Sequence, residues 1–209
     1  MERRAYYDAE PWYKREGTQD WYQQMEPTNE ALRVALGEYF SKRLTVLEIA
    51  CGGGWLAEFI LKAGVSSYSG FDFSETAVNN ARKRLGDFED ARLWRGDALN
   101  PQYYTKQYSL VVSHQFLHCL IGPDRVKWLS LCRKALRPEG VLVISSMVGI
   151  PSSESGDVDA KTKLNKPGNR YYASEDEIKA EILEAGMELE DVLHPEDNSA
   201  IFIVGSAIH

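Results

Sequence analysis

The sequence predicts an α/β protein: a doubly wound, mostly parallel sheet with helices on both faces and an antiparallel hairpin at the C-terminal end. Three observations carry this. Short apolar runs bounded by turn residues alternate with longer stretches of helical apolar spacing, from Leu44 to about Gly186. A glycine cluster, Gly52-Gly53-Gly54, stands between the first of these strands and the helix after it. That is where a chain lets a ligand approach main-chain N–H groups. Two strand-like runs close the chain with only "PEDN" between them. Their connection is too short for a parallel crossover, so they pair antiparallel.

Taken in order, the opening segment up to Pro27 is rich in aromatics, among them Tyr6, Tyr7, Trp12, Tyr13, Trp21 and Tyr22. It lacks strand alternation and reads as irregular or helical turns packed on the body. Thr28 can cap a helix to about Phe40, with Ala31, Leu32, Ala35, Leu36, Tyr39 and Phe40 at helical spacing. "LTVLEIA" (44–50) is a buried-type strand, and "WLAEFILKAG" (55–64) a helix stopped by Gly64. "SYSGFD" (67–72) is the second strand, and Ser74 caps a helix to about Leu85. "ARLWRGD" (91–97) and "YSLVVSH" (108–114) are the third and fourth strands. Pro123 opens a helix filled by "RVKWLSLCRKAL", "RPEG" (137–140) is a turn, and "VLVISSM" (141–147) is the fifth strand. "SEDE" (174–177) is a capping box for a helix that stops at Gly186. "MELEDVLH" and "SAIFIVGSA" are the closing strands.

Composition narrows the function. With 209 residues and a hydrophobic share of 44%, the chain has the size of one domain with a full core. A net charge of −7 makes it a poor electrostatic partner for a phosphate backbone, which sets nucleic acid aside. No apolar run is long enough to cross a bilayer, so no membrane role is expected. "MERRAYYDAE" has charge but no apolar segment after it, so no secretory signal is read. Cys51, Cys119 and Cys132 are scattered without C-x-x-C spacing. This fits reduced thiols in a cytoplasmic protein and gives neither a disulfide framework nor a zinc site.

The glycine cluster alone leaves the ligand open. Gly52, Gly54 and Ala57 have G-x-G-x-x-A spacing, and Asp72 lies 20 residues after Gly52, which also fits a dinucleotide fingerprint. Three features turn the reading. Glu48 ends the first strand, where a carboxylate would repel a pyrophosphate but can accept from an ammonium, directly or through water. Asp97 follows the third strand, where a carboxylate can accept from the exocyclic amine of adenine. The chain then closes in a hairpin, leaving no length for a separate substrate domain.

These residues resemble the class I S-adenosylmethionine-dependent methyltransferases. "VLEIACGGG" looks like their first motif, "GFDFS" like the acid ending strand two, "GDAL" like the adenine-side acid, and "LRPEGVLVIS" like the turn into strand five. The likeness covers roughly residues 44 to 206, with all motifs in order. It implies a seven-stranded sheet with the last strand antiparallel to the others, and S-adenosyl-L-methionine as cofactor. It implies that Glu48 serves the methionine end and that Gly52 and Gly54 let the backbone approach. Asp72 takes the ribose hydroxyls, Phe73 lies beside the adenine, Asp97 and Ala98 hold its edge, and His114 lines the methionine side. The opening "YYD" and "DWYQ" look like aromatic lid segments of the family, which makes Trp21 and Tyr22 candidates to close over the cofactor. The expected plan is one methyltransferase domain, 1–209. Residues 1–43 form a lid and helix segment, 44–206 the core, and 148–172 a substrate-side loop. Ala50 departs from the family, whose first glycine usually stands there; the change is small, and cofactor binding is expected to survive it.

"SHQFLHCL" sets His114 and His118 four residues apart after the fourth strand, with no third ligand spaced for zinc. His118 falls where many small-molecule methyltransferases have "LHHL" or "LEHV". It is the candidate general base, since a histidine titrates near working pH. A helix-entry histidine bonded to backbone fits the same position. Lys161, Lys163, Lys166 and Arg170 read as a solvated loop, and "ARKRLG" (81–86) as a solvated helix end. The reaction expected is in-line methyl transfer to an O, N or S nucleophile of a small molecule. The alternatives are a protein lysine acceptor, an NAD(P)-dependent reductase and a non-catalytic adenosylmethionine-binding subunit.

Overall fold

In the computed structural model, residues 26–41, 43–150, 158–159, 161–165 and 170–206 are described. The helices are α1 (Glu26–Gly37), α2 (Trp55–Lys62), α3 (Glu75–Arg84), α4 (Pro123–Ala135) and α5 (Glu175–Glu184). The strands are β1 (Thr45–Ile49), β2 (Ser67–Asp72), β3 (Ala91–Arg95), β4 (Tyr108–His114), β5 (Leu136–Met147), β6 (Glu188–Leu193) and β7 (Ser199–Gly205). All seven strands join one sheet in the order β3-β2-β1-β4-β5-β7-β6. β7 is antiparallel to both its neighbours, and every other pairing is parallel. The closing pair is not simply appended at the edge. β7 inserts beside β5 and is buried along its whole length, while the more polar β6 takes the edge.

Strand alternation divides the core in two. Leu47, Val111, Leu142 and Phe202 face one side, against Trp128, Leu129 and Cys132 of α4 and Ile178 and Ile182 of α5. Val46, Leu110, Val143 and Ile203 face the other, against Leu32 and Leu36 of α1 and Leu56 and Ile60 of α2. Local signals set the starts of α3 and α5 where expected. The Ser74 hydroxyl accepts from the Ala77 N–H, and Ser174 and Glu177 form both bonds of a capping box. The "RPEG" turn is absorbed into β5 as an irregularity: Leu136 pairs with Tyr108, and pairing resumes at Val141 with Leu110.

The start of α1 departs from expectation. The helix begins at Glu26 and ends at Gly37, so Thr28 lies inside its first turn and is not its cap. The Thr28 hydroxyl instead donates to the Asp197 carboxylate in the β6–β7 turn, 169 positions away. A distant acceptor has taken the hydroxyl that a cap would have turned to a backbone N–H, and Thr28 and Asn29 are both buried there. Trp21 and Tyr22 lie outside the described residues.

One buried cation ties three elements together. Arg125 of α4, 1% exposed, donates from Nε (2.6 Å) and Nη2 (2.8 Å) to the Glu181 carboxylate on α5. Its Nη1 donates to the Leu117 carbonyl at 2.7 Å, in the short 3₁₀ turn Leu117–Cys119. Removing one partner of such a pair strands the other in a poorly solvated place. Arg125→Ala should therefore cost about 3 kcal/mol, read as a lower urea midpoint. An unchanged midpoint would contradict this account.

Candidate cofactor and active site

The parallel strands end on one side of the sheet, and the order reverses between β1 and β4. That crevice is where open α/β sheets bind ligands. Beyond Ile49 the chain turns sharply, with positive φ at Ala50 (59°), Gly52 (53°) and Gly54 (81°). The Cys51 N–H donates to the Phe71 carbonyl at 3.0 Å. The Gly52 N–H donates to Asp72 Oδ2 at 3.0 Å. Asp72 Oδ1 accepts from the Ser74 N–H at 2.9 Å. One carboxylate thus fastens the glycine loop to the head of α3, and its remaining lone pairs can still take ligand hydroxyls. Gly54 opens α2 close against α3, where a Cβ would lie 3.1 Å from the Ala81 Cα.

Glu48 lies behind this loop, 2% exposed, and accepts from the Tyr68 hydroxyl at 2.6 Å. Burial, and then the Glu48 charge, hold the Tyr68 phenol well above its usual range, so it remains a donor. Gly70, opposite Glu48 in the register, makes room: a Cβ there would sit 2.4 Å from the Tyr68 hydroxyl. Phe73 follows Asp72, and its carbonyl accepts from Arg95 Nε at 3.0 Å. After β3, Asp97 is exposed and accepts from the Leu99 N–H at 2.9 Å, while Ala98 is buried. Glu48, Gly52, Gly54, Asp72 and Phe73 therefore gather at the ends of β1 and β2. Asp97 and Ala98 follow the end of β3, and His114 ends β4.

The histidines sit in a poorly solvated corner. Burial pulls the His114 imidazole down to about 4, partly opposed by the Asp197 charge. His118, 5% exposed, is pulled down to about 3 by burial first, then by Arg170, Arg125 and His114. Its Nδ1 is buried without a hydrogen-bond partner, while its carbonyl accepts from the Tyr171 N–H at 2.8 Å. The expectation that His118 titrates near working pH is thus corrected: desolvation and two guanidinium groups keep it neutral.

Tertiary structure adds residues that the sequence reading missed. Gln115 has φ of 56° and donates from Nε2 to Ser145 Oγ and Ser199 Oγ, both at 3.1 Å. It bridges β5 and β7 where strain often marks a working site. Arg170, read from the sequence only as a loop cation, is half-buried rather than fully solvated. Its Nη1 lies 3.8 Å from Met147 Sδ, and its charge acts on His118 and Cys119. Lys163 instead pairs with Glu177. Lys166 lies outside the described residues. Among the described residues, no group of three or more His, Cys, Asp or Glu could hold a metal, and no helix is long and apolar enough to cross a membrane.

Two outcomes follow from these geometries. His118 binds a proton more readily unfolded than folded, so it contributes stability that is full above about pH 6.5 and is lost as pH falls towards 3. Between pH 7 and 5 the loss is about 2 kcal/mol, and urea unfolding of His118→Gln should lack that part of the slope. At Ala50, φ of 59° disfavours any side chain. Ala50→Gly should gain roughly 1 kcal/mol after the entropy cost of glycine, seen as a higher melting temperature; a fall would mean the loop is not strained there.

Comparison with known proteins agrees with this geometry. A family model described as a methyltransferase domain matches residues 47–142. The 27-O-demethylrifamycin SV methyltransferase of Amycolatopsis mediterranei is 29% identical over 150 residues, 69% of this chain and 54% of that one. The ubiquinone biosynthesis O-methyltransferase of Roseobacter denitrificans is 30% identical over 115 residues, 54% of this chain and 44% of that one. The chain thus spans about half the length of these two relatives. The crystal structure of magnesium protoporphyrin IX methyltransferase from Synechocystis, with bound S-adenosylhomocysteine, superposes with a TM-score of 0.75 at 16% identity, covering 98% of each chain. At that identity the likeness speaks for the fold. Sheet order, motif order and family match converge: the chain belongs to the class I S-adenosylmethionine-dependent methyltransferases.

Proposed function

We propose that the protein transfers a methyl group from S-adenosyl-L-methionine to an oxygen of a small molecule. The observation that carries the reading is the glycine loop fastened to Asp72 at the reversal of strand order, with buried Glu48 behind it. A buried carboxylate there disfavours a pyrophosphate and suits the ammonium of a methionine moiety. Asp72 would take the ribose hydroxyls, Phe73 and Ala98 would flank the adenine, and Asp97 would accept from its amine. His114 would line the methionine end, and Trp21 and Tyr22 would close the site. The names of the relatives point to small-molecule acceptors, and one of them names an O-methyltransferase.

In the transfer, a lone pair of the acceptor oxygen would bond to the sulfonium methyl carbon as the carbon–sulfur bond broke, a neutral thioether would leave, and the hydroxyl proton would pass to water. The sulfonium is already activated, so the protein supplies alignment and a dry site. A neutral His118 can accept a hydrogen bond from the acceptor. With its imidazolium held near 3, it is a weak base, and alignment carries most of the rate.

Melting with and without ligand tests the reading. S-adenosylhomocysteine at 100 times its dissociation constant should add about 2.7 kcal/mol, while NAD and NADP should add nothing. Asp72→Ala removes charge-assisted bonds and the Gly52 anchor together, so affinity should fall by tenfold or more, about 1.4 kcal/mol. A melting response to NAD alone would overturn the proposal.

A further inference from the structure

We infer that Arg84 is a positioning residue for the glycine loop, holding the Gly53 carbonyl from the α3 side so that the loop keeps its shape before the cofactor arrives. The inference rests on the adenosylmethionine reading but concerns a residue that this reading gives no role. Arg84 belongs to the basic run at the end of α3, where sequence alone suggests nothing beyond a solvated helix end.

Its guanidinium makes three contacts at once. Nε donates to the Gly53 carbonyl at 3.0 Å. Nη1 donates to Glu58 Oε2 on α2 at 3.3 Å. The Cζ atom stands 3.3 Å over the centroid of the Trp55 ring. Trp55 is the first residue of α2, immediately after the loop. A planar fork can donate in its plane while offering a face to an indole; an ammonium cannot do both.

The loop requires such a hold. Ala50, Gly52 and Gly54 all have positive φ, so the chain reverses sharply and stores strain at Ala50. Asp72 grips the Gly52 N–H, and Arg84 grips the carbonyl of the following residue, Gly53. The two bonds oppose rotation of the peptide units between them. Underneath, Gly54 packs close to Ala81, so α3 both supports the loop and reaches it through its last residue. A loop ordered in advance does not bear its ordering cost on binding. The neighbouring Arg82 makes no comparable contact; it bonds Asn79 and the Leu93 carbonyl, away from the loop.

Calorimetric titration of S-adenosylhomocysteine into the wild type, Arg84→Ala and Arg84→Lys tests the inference, paired with amide exchange of the ligand-free proteins. Arg84→Ala should weaken binding by roughly tenfold. Exchange at Cys51 to Gly54 should speed up while Val46 and Leu47 in β1 stay protected. Arg84→Lys should lie between, since an ammonium can reach one acceptor but cannot stack and bridge. Unchanged affinity and unchanged loop exchange in folded Arg84→Ala would overturn the role. So would a lysine variant as tight as the wild type, because charge alone would then suffice. If the wild type itself fails to bind S-adenosylhomocysteine, the cofactor reading falls, and the loop-exchange result still decides whether Arg84 holds the loop.

Discussion

The bond from the Gly52 N–H to the Asp72 carboxylate is the constraint on which the rest of the site depends. It joins the loop after β1 to the end of β2, and through the Ser74 N–H to the head of α3. Parallel pairing places these strand ends side by side: Ile49, the last residue of β1, stands opposite Phe71, next to last in β2. A carboxylate at this junction works twice. It satisfies backbone donors that a sharp turn leaves exposed, and it holds a fixed negative charge where ligand hydroxyls would arrive. The loop cannot drift without breaking a charge-assisted bond, so a site built on backbone N–H groups remains formed.

Buried charge is handled consistently through the molecule. Glu48 has the Tyr68 phenol, with Gly70 cleared to admit it. Arg125 has Glu181 and a backbone carbonyl. His118 has no such partner for Nδ1, and it responds in the other available way, by staying neutral. The Glu48 and Arg125 solutions require a side chain delivered from another strand or helix. The third requires only that water be excluded and that cations stand nearby.

The two sides of the candidate site differ in how far apart their parts lie in the chain. The cofactor side draws on residues 48–54 and 72–73, with 97–98 a strand further on. The corner proposed to face the acceptor draws on Gln115, His118, Met147, Arg170, Asp197 and Ser199, with His114 between it and the cofactor side, and its hydrogen bonds span from 23 to 84 positions. A helix at the front of the chain joins the same corner through Thr28 and Asp197. Arg125 stiffens it from beneath, by fixing the turn that carries His118 and lying 5.0 Å from the Tyr171 ring centroid.

This division explains what could be read from the sequence alone. Strand and helix positions, the caps at Ser74 and Ser174, and the parallel-then-antiparallel plan follow from periodicities and turn residues within a few positions of each other. The fold was therefore legible almost throughout, and so was the placing of Gly52, Gly54, Asp72 and Asp97, which mark strand ends. Thr28 reads as a cap because its local pattern is a good one, and only the distant Asp197 decides otherwise. His118 reads as a group poised near neutrality because residue type sets its ordinary value. Its actual state depends first on the loss of water around it, and then on Arg170 and Arg125. The pattern Tyr68-x-Gly70 carries a trace of the Glu48 pairing, but alternation alone does not tell which strand lies alongside. Sequence by itself determined the order of the elements and most of their bounds, because those choices are governed largely by neighbouring residues. Tertiary structure decided which charges are paired, which are silenced and which hold the loop, because an electrostatic energy depends on distance and burial that local sequence does not contain.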